Sequence, residues 1–138
     1  MYPSDLREKE RRYSTVIKET VVTVDKIWGE EIWLVNGDDY CGKLLIVDRN
    51  AESSYHCHRI KRETFAALEG HAMLVVEGKE YVLAPFTRPK TIEPGEKHKF
   101  IGVTAAIILE ISTHHDEADV ERFSESKAGG EYDTEVPA

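Results

Sequence analysis

Residues 54–70 read SYHCHRIKRETFAALEG, and two histidines one residue apart, followed by a glutamate, set the problem. In an extended strand residues i and i+2 point to the same face, so His56 and His58 project side by side. A loop through "RIKR" brings Glu63 back toward them. One more ligand closes a site, and His98 is the best supply, because it follows a Pro94-Gly95 turn and starts a predicted strand. Three imidazoles and one carboxylate suit Zn, Mn, Fe, Co or Ni and leave positions open for water or substrate. Such a site is catalytic in style rather than structural.

The rest of the chain agrees with a small enzyme-sized domain. Its 138 residues suggest one domain, long enough to bury a core without disulfides. With 41% hydrophobic and 32% charged residues it reads as globular. A formal net charge of -8 argues against general nucleic-acid binding, since phosphate backbones are met by an excess of lysine and arginine. Two cysteines, Cys41 and Cys57, are too few for a disulfide framework. The opening "MYPSDLREKERRYS" lacks a signal-peptide core, and no apolar run is long enough to span a bilayer. The expectation is a cytoplasmic protein that engages neither nucleic acid nor membrane.

Residues 1–14 are expected to form a charged arm or short helix, 15–123 a β-barrel, and 124–138 a flexible acidic tail. Within the barrel region the chain reads as short strands. "TVIKETVVTVD" from Thr15 is rich in β-branched residues, and "EIWLV" (31–35) and "CGKLLIVDR" (41–49) flank an Asn36-Gly37 turn. "HAMLVVEGKEYVLAP" (71–85) reads as a hairpin with Gly78-Lys79 at its tip, and "AAIILEIST" (105–113) as a buried strand. Short strands at this spacing indicate an all-β sandwich or barrel.

The pattern His56-x-His58-x4-Glu63-x6-Gly70 resembles the first motif of the cupin superfamily, and Gly95-x-x-His98 resembles its second. The resemblance covers roughly residues 25–113. It implies an antiparallel jelly-roll β-barrel with a divalent transition metal held inside its mouth. Asn50 stands where the first motif has a glycine, Glu93 where the second has a proline, and Gly102 where the second has an asparagine. "KIWGEEIWLV" (26–35), "YCGKLLIV" (40–47) and "EISTHHDEADVERF" (110–123) are similar to the small sugar-isomerase-like cupins, which include type II mannose-6-phosphate isomerase C-terminal domains and D-lyxose isomerases. That likeness rests on Trp28-Gly29 and on Asp119-Val120-Glu121-Arg122.

These resemblances imply a metal-dependent aldose–ketose isomerase acting on a small sugar or sugar phosphate. The reaction needs a base near the metal. Glu110, a carboxylate in the apolar strand "IILEIS", and Lys43, in "CGKLLIV", are the candidate catalytic residues, Glu110 as the base and Lys43 as a second polar wall residue. Arg59, Lys61, Arg62, Arg88, Lys90, Lys97 and Lys99 crowd the two motifs and favour an anionic small-molecule substrate. Period-two alternation sets a limit on this, because Lys97 and Lys99 face outward if His98 faces inward. His114-His115-Asp116 reads as a polar corner, not a second metal cluster, since adjacent strand residues face apart. Cys41 and Cys57 read as small buried side chains. The alternatives are a metal dioxygenase or lyase on the same scaffold, and a non-catalytic sugar-binding cupin. A homodimer is expected, with the strand from Thr15 as the exchanged or interface segment.

Overall fold

A computed structural model describes residues 22–130, so the expected N-terminal arm or helix (1–14) and most of the proposed interface strand lie outside the described residues. Eleven strands occur among these residues: β1 (Val22–Lys26), β2 (Gly29–Asn36), β3 (Cys41–Val47), β4 (His56–Cys57), β5 (Glu63–Glu69), β6 (Ala72–Val76), β7 (Lys79–Leu83), β8 (Lys90–Ile92), β9 (His98–Gly102), β10 (Ala106–Ser112) and β11 (Glu121–Arg122). They form a six-stranded sheet, β1-β2-β3-β10-β5-β8, and a five-stranded sheet, β11-β4-β9-β6-β7. Every pairing is antiparallel. The all-β jelly roll expected from the sequence is the observed fold. No helix among the described residues is long and apolar enough to cross a membrane.

Alternation explains where the core sits and where it stops. β5 buries Glu63, Phe65 and Ala67, and β9 buries His98, Phe100 and Gly102, in each case every second residue. Leu45, Phe65, Phe100 and Ile108 belong to the core between the sheets, with Trp28 set edge-on against Phe100 at 4.9 Å between ring centroids. The same inward rows become polar toward the mouth. Glu110 lies directly opposite Lys43 across the β10–β3 pairing, and Ser112 opposite Glu63 across β10–β5. Charges that interrupt apolar strands in the sequence are therefore the mouth end of an inward row. β10 is apolar on both faces because Ile107 packs with Ile32, Leu44 and Ile46 in a second cluster.

Two of the three motif departures, Asn50 and Gly102, meet each other. Asn50 takes the left-handed conformation (φ 63) that the usual glycine would supply, a conformation asparagine tolerates better than most residues. Its amide donates to the Gly102 carbonyl at 2.7 Å, and the Gly102 amide donates to Ala51 O at 2.8 Å. A Cβ on Gly102 would lie 2.4 Å from the Asp48 carbonyl oxygen, so the asparagine usual at that position has no room here. The 71–85 hairpin turns at Glu77-Gly78 rather than Gly78-Lys79. Val76 pairs with Lys79, leaving two residues at positive φ (49 and 79), as a type I′ turn requires.

Within the expected tail, Lys127 and Gly130 bond to main-chain groups of the barrel. Lys127 and Glu52 exchange backbone hydrogen bonds of 2.9 and 3.0 Å, and the Gly130 amide donates to Arg49 O at 3.0 Å. The main-chain groups of Arg49 and Glu52 are the ones that hold this polar segment, despite its composition. The remainder of the expected tail, 131–138, lies outside the described residues.

Gly102→Ala is expected to destabilise the protein by at least about 2 kcal/mol, because backbone must move to admit the methyl group. Asn50→Gly is expected to stay within about 1 kcal/mol of wild type. Urea unfolding midpoints decide both, and equal midpoints for Gly102→Ala and wild type would contradict the packing described.

Candidate metal centre

β4, β5 and β9 bring the four predicted ligands to one place. His56 pairs with His98 across β4–β9, and the Gly95 amide ties the second motif's turn to His58 O at 2.7 Å. One ring nitrogen from each of His56, His58 and His98 lies within 4.8 Å of the others. Glu63 Oε2 sits 2.8 Å from His98 Nε2 and 3.2 Å from His58 Nε2. His58, Glu63 and His98 are buried, while His56 is half-buried at the mouth.

Main-chain carbonyls set the direction of each ring. His56 Nδ1 lies 2.7 Å from Ser54 O, His58 Nδ1 3.0 Å from Asp119 O, and His98 Nδ1 2.9 Å from Glu96 O. A carbonyl only accepts, so each Nδ1 carries the proton and, in the neutral ring, each Nε2 keeps its lone pair. This is the tautomer of metal-ligating histidines whose other nitrogen is anchored. His98 Nε2 and Glu63 Oε2 are fully buried and, although 2.8 Å apart, make no aligned hydrogen bond. Buried polar atoms left this way are costly unless something else satisfies them. The donor set and its orientation fit a divalent transition metal held by His56, His58, Glu63 and His98.

Electrostatics reinforce the arrangement. Burial alone would raise the Glu63 carboxyl, but the imidazoles of His58 and His98 and the Lys61 ammonium carry it well below the usual range. Burial works against protonation of His98, yet the Glu63 carboxylate outweighs it and raises the ring's proton affinity. His56 is lowered to about 3 by burial and by its neighbour His98.

The two predicted catalytic residues face the same cavity, which encloses about 90 Å³, space for several water molecules. Glu110 is 4% exposed, and its Oε2 lies 2.6 Å from Lys61 Nζ. Burial and the Glu63 charge raise its proton affinity, against Lys61 and Lys43, which lower it. Lys43 is 1% exposed, pairs with Glu31 at 3.2 Å, and lies 4.4 Å from the centre of the Trp33 ring. It forms part of the cavity wall, set back behind Glu31.

Sequence reasoning missed Lys61, Glu31 and His115 as cavity residues. Lys61 is 3% exposed; its ammonium lies 2.6 Å from Glu110 Oε2 and 3.4 Å from Glu63 Oε1 as an ion pair with each, and 3.1 Å from His115 Nδ1. Its place follows from counting backward by two from Phe65 and Glu63, which makes Lys61 inward while Ile60 is left 78% exposed. His115 is buried and bonds Glu117 at 2.8 Å through Nε2, whereas His114 faces away and bonds Gly37 O. The two do face apart as expected, but His115 belongs to the site. Among the described residues, the three motif histidines are the cluster suited to a metal.

The cations that crowd the motifs in sequence disperse in the structure. Arg62 pairs with Glu93 at 2.6 Å, Lys99 with Glu52 at 2.8 Å, and Lys97 and Lys90 lie over the rings of Phe123 and Tyr81. Lys61 alone of that group lines the cavity, joined by Lys26, Lys43 and Arg122 from elsewhere in the chain.

No protein-family model matches the sequence, and no curated protein matches it. Solved structures do match. An RmlC-like cupin from Shewanella frigidimarina is 20% identical, with 72% of this chain and 89% of that chain covered and a TM-score of 0.65. The nucleoside dehydratase Pac13 from Streptomyces is 13% identical, with 78% and 88% covered and a TM-score of 0.65. The capsular polysaccharide assembling protein CapF from Staphylococcus aureus is 16% identical over 80% of this chain, with a TM-score of 0.68. This chain spans about a third of CapF, 34% of its length. The chain has the cupin fold.

Two outcomes follow from the electrostatics. Protons compete with metal for His98, whose proton affinity is raised, so the apparent Zn²⁺ affinity is expected to fall as pH is lowered, by about tenfold per pH unit once that ring is protonated in the metal-free protein. Calorimetric titrations across pH would show it, and a pH-independent affinity would contradict the ligand set. Lys61→Met leaves Glu63 and Glu110 without their shared cation. It is expected to cost the metal-free protein about 3–5 kcal/mol, read from urea unfolding, and a loss under about 1 kcal/mol would contradict the ion-pair hub.

Proposed function

We propose that this chain is a metal-dependent aldose–ketose isomerase acting on a small sugar or sugar phosphate in the mouth of the cupin barrel. One observation carries the reading: a second buried carboxylate, Glu110, faces the same cavity as the converging donors of His56, His58, Glu63 and His98. A divalent transition metal on those donors supplies Lewis-acid polarisation of a carbonyl. Glu110 takes the proton from C2, and the C2–H electron pair forms the double bond of an enediol. The same carboxyl returns the proton to C1, while a proton passes from O2 to O1. A raised proton affinity suits a group that must both take and return a proton. The Lys61 ammonium, 2.6 Å from Glu110, favours the ionised form in which the cycle starts.

The rim supports an anionic group on the substrate. Arg122 pairs with His56 in the β11–β4 register and lines the cavity, and it forms no ion pair among the described residues. A phosphate or carboxylate on the far end of the sugar would meet it there. Resemblance in fold to a nucleoside dehydratase supports a lyase as the runner-up, since elimination begins with the same proton abstraction and then expels a leaving group.

Metal-loaded protein incubated in D2O with a panel of aldoses and aldose phosphates is expected to give ketose carrying deuterium at C1, with exchange at C2 of the recovered aldose. Glu110→Gln is expected to lower the rate about 10²–10⁴-fold with metal content unchanged. Elimination products would favour the lyase. Neither exchange nor product from fully loaded protein across the panel would overturn the enzymatic reading and leave a binding cupin.

A further inference from the structure

Three imidazoles are anchored through Nδ1, but not in the same way. His56 and His98 each use a carbonyl two residues before them, Ser54 O and Glu96 O. These bonds form within one short stretch of chain. His58 instead uses Asp119 O, 61 residues away in sequence. Its orientation therefore depends on tertiary structure.

Asp119 lies on the segment that crosses from β10 in one sheet to β11 in the other. Its carboxylate receives three consecutive amides of the loop between His58 and Glu63. Oδ1 accepts from Arg59 N at 2.9 Å, both oxygens lie 3.2 Å from Ile60 N, and Oδ2 accepts from Lys61 N at 3.1 Å. Asp119 is itself held, since its amide donates to Asp116 O at 2.9 Å and Asp116 Oδ1 accepts from Ala118 N at 2.9 Å. One residue thus fixes the His58 ring with its main chain and the loop after His58 with its side chain. That loop turns Ile60 outward and Lys61 inward.

We propose that Asp119 is a positioning residue of the centre: its grip on the 59–61 amides holds its own carbonyl against His58 Nδ1, so that His58 Nε2 faces Glu63. The inference rests on the reading of His56, His58, Glu63 and His98 as metal ligands. Clamping a loop with a carboxylate is also an ordinary structural device, and the two roles differ in what they predict. A structural cap, once removed, loosens the three rings together or not at all. A positioning residue, once removed, frees one ring.

The test compares wild type with Asp119→Ala and Asp119→Asn, first metal-free and then titrated with Zn²⁺ against a chromogenic chelator. In the metal-free proteins, nitrogen-15 NMR reads the ring N–H protons of His56, His58 and His98 singly. Wild type is expected to show all three protected from exchange. In Asp119→Ala the His58 signal is expected to exchange at least about tenfold faster, while those of His56 and His98 persist. Zn²⁺ affinity is expected to weaken about 10–100-fold, the usual cost of losing a partner behind a ligand. Asp119→Asn, which keeps one acceptor oxygen, is expected to move the same way by less. An unchanged His58 signal overturns the proposal, and so does a collective change of all three rings in both variants. If wild type takes up no Zn²⁺, the ligand reading fails, but the ring-proton comparison still decides the role of Asp119.

Discussion

Three backbone carbonyls govern this structure. Each accepts a hydrogen bond from the Nδ1 of one histidine, which brings one ring nitrogen of each within 4.8 Å of the others and sets the Nε2 atoms of His58 and His98 against the Glu63 carboxylate. Packing lone pairs and a carboxylate into a protein interior is unfavourable without a counter-charge. The barrel meets part of that demand with Lys61, which touches Glu63 and Glu110 at once. The remaining demand, seen in the unaligned buried atoms of Glu63 and His98, is what a cation between them would satisfy.

The charges around the centre follow from the same constraint. Two carboxylates, Glu63 and Glu110, share one buried ammonium, so their proton affinities are driven apart: Glu63 far down, Glu110 up. Carboxylates separated in this way take different tasks, one as a permanent anion and the other as a group that exchanges a proton. Lys43 and the half-buried Glu31 make a second ion pair on the cavity wall. Acids and cations thus alternate around a small cavity, and the Arg122 guanidinium stands at its rim.

Much of this was legible in the sequence, because strands advertise their faces. His56 and His58, one residue apart, and Glu110 and Lys43, charged in apolar runs, stand out by period-two alternation alone. The pairing of Asn50 with Gly102 was visible only as two departures from a motif; that one accommodates the other depends on a backbone approach no pattern encodes. Lys61 and His115 were hidden for a different reason. Both sit in segments outside the strands: Lys61 keeps the inward row of Glu63 and Phe65 only in a loop whose amides Asp119 holds, and the His115 amide is held by Asn36. The cations near the motifs misled for the converse reason: proximity in sequence to an inward histidine places a neighbour outward, as with Lys97 and Lys99.

The donor geometry makes a claim that one measurement addresses directly: elemental mass spectrometry of untagged wild type beside a His56→Ala/His58→Ala double variant, before and after reconstitution with divalent transition metals. Convergence of three Nε2 atoms and Glu63 predicts about one transition-metal ion per wild-type chain and near none in the variant. Wild type that remains metal-free after reconstitution, or a variant that retains the ion, would contradict it.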